Sequence, residues 1–179
     1  KGTADSVLTG GVIGQLFLYA KGYDVGEPNK RYLEEKAFIQ LVPKIQDLFK
    51  RFDGRIMLPD DLAVEINGKR REISLSELPT AYPMYDIGSK TIEKYASMIK
   101  KARAIVLNGP MGVYENKEFL KGTKGVFEAI ADSRAFSVAG GGHTVGAIDE
   151  LGLQQKISYI STGGGALMEY LTGKKLPGI

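Results

Sequence analysis

Short runs of Val, Ile, Leu and Ala recur along this chain. Each ends in a glycine cluster and is followed by apolar residues at helical spacing. "DSVLTGG" (5–11) leads into "VIGQLFLYAKG" (12–22), where Gly22 reads as a helix stop. "ARAIVLNGPMG" (102–112) leads into "ENKEFLKGTKGVFEAIADS" (115–133). "RAFSVAGGG" (134–142) leads into "HTVGAIDELG" (143–152), and "KISYISTGGG" (156–165) into "ALMEYLTGK" (166–174). Continuous apolar strands alternating with helices predict an α/β fold. The expected form is a three-layer, mostly parallel, doubly wound (Rossmann-like) sheet with helices on both faces.

A different pattern lies between the first two units. The charged amphipathic stretch 29–51 carries Tyr32, Leu33, Ala37, Phe38, Leu41, Ile45 and Leu48 at helical spacing, a pattern of core packing. Its Pro43 is expected to kink or divide it. Two short strands, "RIMLP" and "DLAVEI", precede Asn67-Gly68, which reads as a hairpin turn into "KRREISL". This hairpin is a small insertion, and its Lys69, Arg70 and Arg71 read as a solvated basic cluster. "MYDIG" (84–88) reads as a further parallel strand, and Ser89 as the cap of the helix that follows. Nothing resembles a linker or a low-complexity run, so residues 1–179 are expected to form one domain.

Composition then removes several function classes. With no cysteine and a single histidine, His143, the chain has neither disulfides nor a thiolate or multi-histidine metal site. A formal charge of +3 without a clustered basic face gives no case for nucleic acid. No apolar run reaches the ~20 residues that span a bilayer, and "KGTADSVL" lacks a signal-peptide pattern. A cytoplasmic protein without a membrane partner is the expectation.

In a parallel sheet all strand-to-helix turns share one edge, where ligands bind. Glycine lets a ligand approach the backbone, and each following helix points N–H groups and its positive dipole end at that space. Four such turns suit phosphates. The chain has no G-x-x-x-x-G-K-[ST] loop. Gly140, Gly142 and Gly146 give a G-x-G-x-x-x-G spacing that fits an NAD(P)-dependent oxidoreductase. However, no acidic residue ends the following strand, "ISYIST", to take a ribose, so a mononucleotide cradle fits better. A non-catalytic interaction domain is the third reading.

"VLTGGVIGQLFLYAKG", "IVLNGPMGVYE", "GTKGVFEAIA", "AGGGHT" and "YISTGGGALMEYLTGKKLPGI", in this order, resemble the carboxyl-terminal domain of phosphoglycerate kinase. Residues 29–80 match only loosely, and "GGHT" is nearest to the archaeal branch. The resemblance implies the nucleotide-binding half of a two-domain enzyme. That enzyme transfers phosphoryl between 1,3-bisphosphoglycerate and ADP with magnesium, giving 3-phosphoglycerate and ATP. The amino-terminal domain, which holds the glycerate substrate, is expected to be missing here, as are the "GGAK" segment and the final helical tail. This chain alone is expected to be inactive. By the resemblance, Gly10, Gly11 and Gly88 lie beside the adenine, and Asn108, Gly109 and Pro110 against the nucleotide. Glu115 takes the ribose hydroxyls, a role suited to an acceptor-only group; it also reads as a helix N-terminal acid.

Gly141, Gly142, His143 and Thr144 match the phosphate loop, and the amides of Gly142 and Gly165 face the transferring phosphoryl. Many members carry aspartate where His143 stands. Imidazole is not the hard oxygen ligand magnesium prefers, so the metal is expected to rest on phosphates and water, with Thr144 as a further oxygen. For His143 a phosphate contact, a helix-start role and a metal ligand all stay open. No side chain is assigned as a metal ligand.

Overall fold

The computed structural model describes residues 4–161 and, beyond them, Gly163, Gly165, Glu169 and Gly173. "ALMEYLTGK" falls mostly outside the described residues. The chain divides into two compact units. The first comprises residues up to Glu93 together with Met111–Gly122, and the second comprises Lys94–Pro110 and the residues from Thr123 onward.

The first unit opens with β1 (Val7–Leu8), and α1 follows (Gly11–Lys21). Gly22 ends α1 in the left-handed region, φ 105°, where its N–H reaches back to the carbonyls of the last turn. Next come α2 (Glu27–Glu35), a 3-10 turn (Ile39–Leu41) and α3 (Val42–Arg51). The expected amphipathic helix is therefore broken, but not at Pro43. Ala37 takes φ 57°, and Pro43 sits in the first turn of α3, where its missing N–H is harmless. The break resets the helical period. Leu33 and Ile45 are buried, whereas Tyr32, Ala37 and Leu41, expected on the same stripe, are exposed.

Strand β2 (Ile56–Met57) pairs in parallel with β1. Strands β3 (Asp61–Ile66) and β4 (Lys69–Ser74) form the hairpin expected at Asn67-Gly68, with both turn residues at positive φ, 53° and 76°. Strand β5 (Met84–Ile87) pairs antiparallel with β3, so "MYDIG" is not the parallel strand its glycine terminus suggested. Alternation was too short over four residues to set direction; the hairpin edge offers β5 an antiparallel partner. Buried Asn29 fixes the start of β5. It accepts from Met84 N (2.8 Å) and donates to the carbonyls of Val25 and Tyr82. One core cluster joins Leu18, Val25, Leu62, Val64, Ile73 and Met84, and a second joins Leu16, Ala20, Leu33 and Ile45.

Helix α4 (Ser89–Ile99) carries the chain from the first unit into the second. Its cap is not Ser89. Buried Asp61, at the start of β3, accepts from Lys90 N (3.0 Å), Thr91 N (2.8 Å) and the Thr91 hydroxyl (2.6 Å). Ser89 instead donates its hydroxyl to Glu72 (2.7 Å).

In the second unit, β6 (Ala104–Leu107), β7 (Phe136–Gly140) and β8 (Tyr159–Ser161) form a wholly parallel sheet in the order β6-β7-β8. Helix α5 (Leu120–Ala131) connects β6 to β7, and α6 (Gly142–Glu150) connects β7 to β8. These are the β-α-β repeats that the alternating pattern implied. With the parallel strands β1 and β2, the fold is the expected Rossmann-like α/β class with a hairpin insertion. Asp61→Ala, assayed by urea unfolding, should destabilise the chain by about 2 kcal/mol, since it removes the acceptor that caps the Lys90 and Thr91 amides and one of the bonds of the buried Thr91 hydroxyl. A loss below about 0.5 kcal/mol would mean that α4 needs no cap from the hairpin.

Candidate functional site

Strand β7 ends at Gly140, and the turn into α6 is a single residue. Gly141 holds φ 99°, with the Asn108 side-chain oxygen 2.9 Å from the position a Cβ would take. Helix α6 opens at Gly142, and its backbone ladder starts with Val145 N donating to Gly141 O (3.0 Å). The amides of residues 142–144 therefore precede the first intrahelical bond. Gly142 and His143 are exposed, with His143 in the first turn. Thr144 is 1% exposed, and its hydroxyl accepts from Gly109 N (2.7 Å). It ties the Asn108-Gly109-Pro110 turn to the start of α6. Asn108 is exposed, and Gly109 holds φ 100°.

Four of the residues implied for the nucleotide belong to the first unit. A Cβ at Gly10 would lie 2.5 Å from Met111 Sδ, and Gly11, at φ 55°, donates to Met111 O (2.7 Å). Gly88 is buried, and a Cβ there would meet the Asp61 carboxylate, with Oδ1 at 2.6 Å. Packing against their own unit demands glycine at positions 10 and 88. Glu115 is exposed in the turn after Val113, just ahead of Asn116, which accepts from Glu118 N and so caps the next turn. The acid in that first helical turn is Glu118, not Glu115.

Glycines 142 and 165 differ from these. Neither has positive φ, both are exposed, and among the described residues nothing lies within 4 Å of a Cβ built on either. Among the described residues, packing makes no demand for glycine at either position.

Beside Gly88 lies a set of charges that the sequence reading passed over. Arg70 is not solvated with Lys69 and Arg71. Its side chain is 10% exposed and donates to Asp86 Oδ2 (2.7 Å), Glu72 Oε1 (3.1 Å) and the Ile87 carbonyl (2.8 Å). The amide of Gly122 also donates to Asp86 Oδ2 (2.7 Å). Burial pushes the Asp86 carboxyl up to about 6, even though the Gly122 amide and the Arg70 charge oppose it. Burial pushes Glu72 upward too. There it is outweighed by the hydroxyl and amide of Ser89, by Lys121 and by Arg70, which hold the carboxyl down at about 2. The available signal was a polar residue inside the apolar strand "MYDI", which is rarely buried unpaired.

No group of three or more His, Cys, Asp or Glu side chains fit to hold a metal occurs among the described residues. His143 adds no oxygen donor of the kind magnesium prefers.

A family model described as phosphoglycerate kinase matches residues 1–174. The phosphoglycerate kinase of Pyrococcus furiosus is 47% identical over 99% of this chain and 44% of its own length. That of Methanopyrus kandleri is 44% identical over 97% and 43%. The crystal structure of phosphoglycerate kinase from Pyrococcus horikoshii OT3 superposes with TM-score 0.90 at 45% identity, covering 97% of this chain and 44% of that one. The Coxiella burnetii structure gives 0.82 at 32%, covering 96% and 44%. The chain thus spans under half the length of these relatives. They support the kinase reading, not the oxidoreductase. No helix among the described residues is long and apolar enough to cross a membrane.

The raised Asp86 carboxyl has a measurable consequence. Its folded-state value of about 6 lies above the ordinary 3.8, so the folded chain holds that proton more tightly than the unfolded chain. Stability should therefore fall as pH rises from about 4 to about 6, by at most about 1.4 kcal/mol per pH unit. Asp86→Asn should lack this slope in urea unfolding across the same range. Parallel curves for the two proteins would show that Asp86 titrates as an ordinary aspartate.

Proposed function

Because the chain belongs to the phosphoglycerate kinase family, we propose that it is the nucleotide-holding half of such an enzyme. In this reading residues 1–179 act as one nucleotide-binding domain, binding ADP and ATP with magnesium carried on their phosphates. The reaction is phosphoryl transfer from 1,3-bisphosphoglycerate to ADP, giving 3-phosphoglycerate and ATP. The glycerate substrate is held by a domain outside this chain. The setting is cytoplasmic, as for a glycolytic enzyme, and neither nucleic acid nor membrane is a partner.

The observation that carries the reading is the open space over Gly142. A glycine that is exposed, unstrained and clear of neighbours serves approach rather than packing. At that point the first amides of α6 and its positive dipole end meet the ligand, which suits a phosphate. Gly165, clear of neighbours among the described residues, offers a second amide. Phosphoryl transfer asks the protein for positioned donors more than for covalent chemistry, and backbone amides supply them. Glu115, exposed on its turn, supplies an acceptor for the ribose hydroxyls. By the family's pattern Gly10, Gly11 and Gly88 are assigned to the adenine, Asn108, Gly109 and Pro110 to the nucleotide, and Gly141, His143 and Thr144 to the phosphate loop.

Calorimetry with Mg-ADP tests this directly. The unaltered chain should bind, and NADH should not compete. Gly142→Ala should leave urea stability unchanged or raise it by up to about 1 kcal/mol, since alanine favours helix. The same change should weaken ADP about tenfold or more by holding phosphate off the amides. Equal affinity in the two proteins would mean that no phosphate approaches Gly142. His143→Asp adds the hard oxygen that imidazole lacks. Magnesium should then strengthen ADP binding about tenfold more than in the unaltered chain. An unchanged magnesium dependence would make His143 a helix-start residue only.

A further inference from the structure

We propose that Arg70 is a positioning residue for the nucleoside end of the nucleotide site, an inference that rests on the nucleotide-binding reading above. Arg70 sits on β4, in the hairpin, and its side-chain hydrogen bonds among the described residues go to Asp86, Glu72 and the Ile87 carbonyl, none of them a residue implied to contact the nucleotide. It reaches two segments that do carry such residues, both within the first unit.

The first segment is 87–89. Three consecutive residues are held from the hairpin: Arg70 donates to the Ile87 carbonyl (2.8 Å), the Asp61 carbonyl accepts from Gly88 N (3.0 Å), and Glu72 accepts from Ser89 N (3.0 Å). Glu72 is in turn held by Arg70 (3.1 Å) and Lys121 (3.0 Å). Gly88 is thereby fixed on both sides.

The second segment is 112–115. Arg70 holds Asp86, whose side chain is wholly buried. The backbone of Gly112 lies so close that a Cβ there would stand 2.7 Å from Asp86 Oδ1 and closer still to the Tyr85 carbonyl. Val113 N donates to the Tyr85 carbonyl (2.8 Å). The turn bearing Glu115 therefore rests on residues 85 and 86, and the Asp86 rotamer is set by Arg70 and the Gly122 amide (2.7 Å).

A guanidinium is suited to this task because its planar fork fixes direction as well as charge. Buried pairs of this kind contribute little net stability compared with apolar residues of like volume, but they do define geometry. Arg70 Nε and Asp86 Oδ1 are buried without a hydrogen-bond partner among the described residues, so packing has not been optimised for polar satisfaction alone.

The test compares two probes by calorimetry on the whole chain: Mg-ADP, which engages both ends of the site, and tripolyphosphate, which engages only the phosphate end. Arg70→Lys keeps the charge and loses the fork. It should weaken Mg-ADP about tenfold while tripolyphosphate stays within about twofold. If Arg70→Lys fails to fold, the double variant Arg70→Met/Asp86→Leu replaces the pair with apolar groups and should show the same selective loss. A folded variant that binds Mg-ADP as tightly as the unaltered chain overturns the inference. So does equal weakening of both probes, which marks a merely structural role. Failure of the unaltered chain to bind either probe would instead overturn the nucleotide-binding reading.

Discussion

The first unit is organised around one buried contact, the 2.7 Å pair between Arg70 and Asp86. A carboxylate and a guanidinium withdrawn from water need each other, since removing either leaves an uncompensated charge. The pair's remaining bonds reach outward to β5 through Ile87, to α5 through Gly122, and to the start of α4 through Glu72 and Ser89. Glycines 112 and 122 pack so closely against Asp86 that a Cβ on either would meet its carboxylate. The hairpin is thus more than an insertion on an α/β fold. Asp61 caps α4 from one of its strands, and Arg70 and Glu72 brace the same helix start from the other.

Glycine clusters along a sheet edge are ambiguous in a sequence, because packing and ligand approach ask for the same residue. Space around each position separates the two causes. Glycines 10 and 88 are required by neighbours in their own unit, Met111 and Asp61. Glycines 142 and 165 are exposed and, among the described residues, clear of neighbours, and Gly142 opens α6, where amides and dipole favour an anion. Family membership rests on the whole chain, and the open space at Gly142 is a separate, local feature of it.

Much of the fold was legible in the chain because its strands are continuous apolar runs and its turns are glycine-rich. The β6-β7-β8 sheet, the hairpin at Asn67-Gly68 and the stop at Gly22 all follow from such local signals. Direction was not legible for β5, where four residues carry too little pattern. The break at Ala37 was missed because alanine at φ 57° has no sequence signature, and Pro43 drew attention to the wrong place. Ser89 looked like a cap because serine usually is one, but Asp61 supplies that role from a distant strand. Arg70 is the instructive case. Next to two exposed basic residues it read as solvated, and only the pairing of β4 with β3 turns it toward the buried Asp86. Long-range partners of this kind leave no spacing to read.

The central claim is that phosphates are held by the amides that open α6. A crystal structure of the chain with Mg-ADP bound tests it most directly. The account predicts phosphate oxygens within hydrogen-bond distance of the amides of Gly142 to Thr144, with Glu115 on the ribose. A nucleotide seated with its phosphates away from that helix start would contradict it.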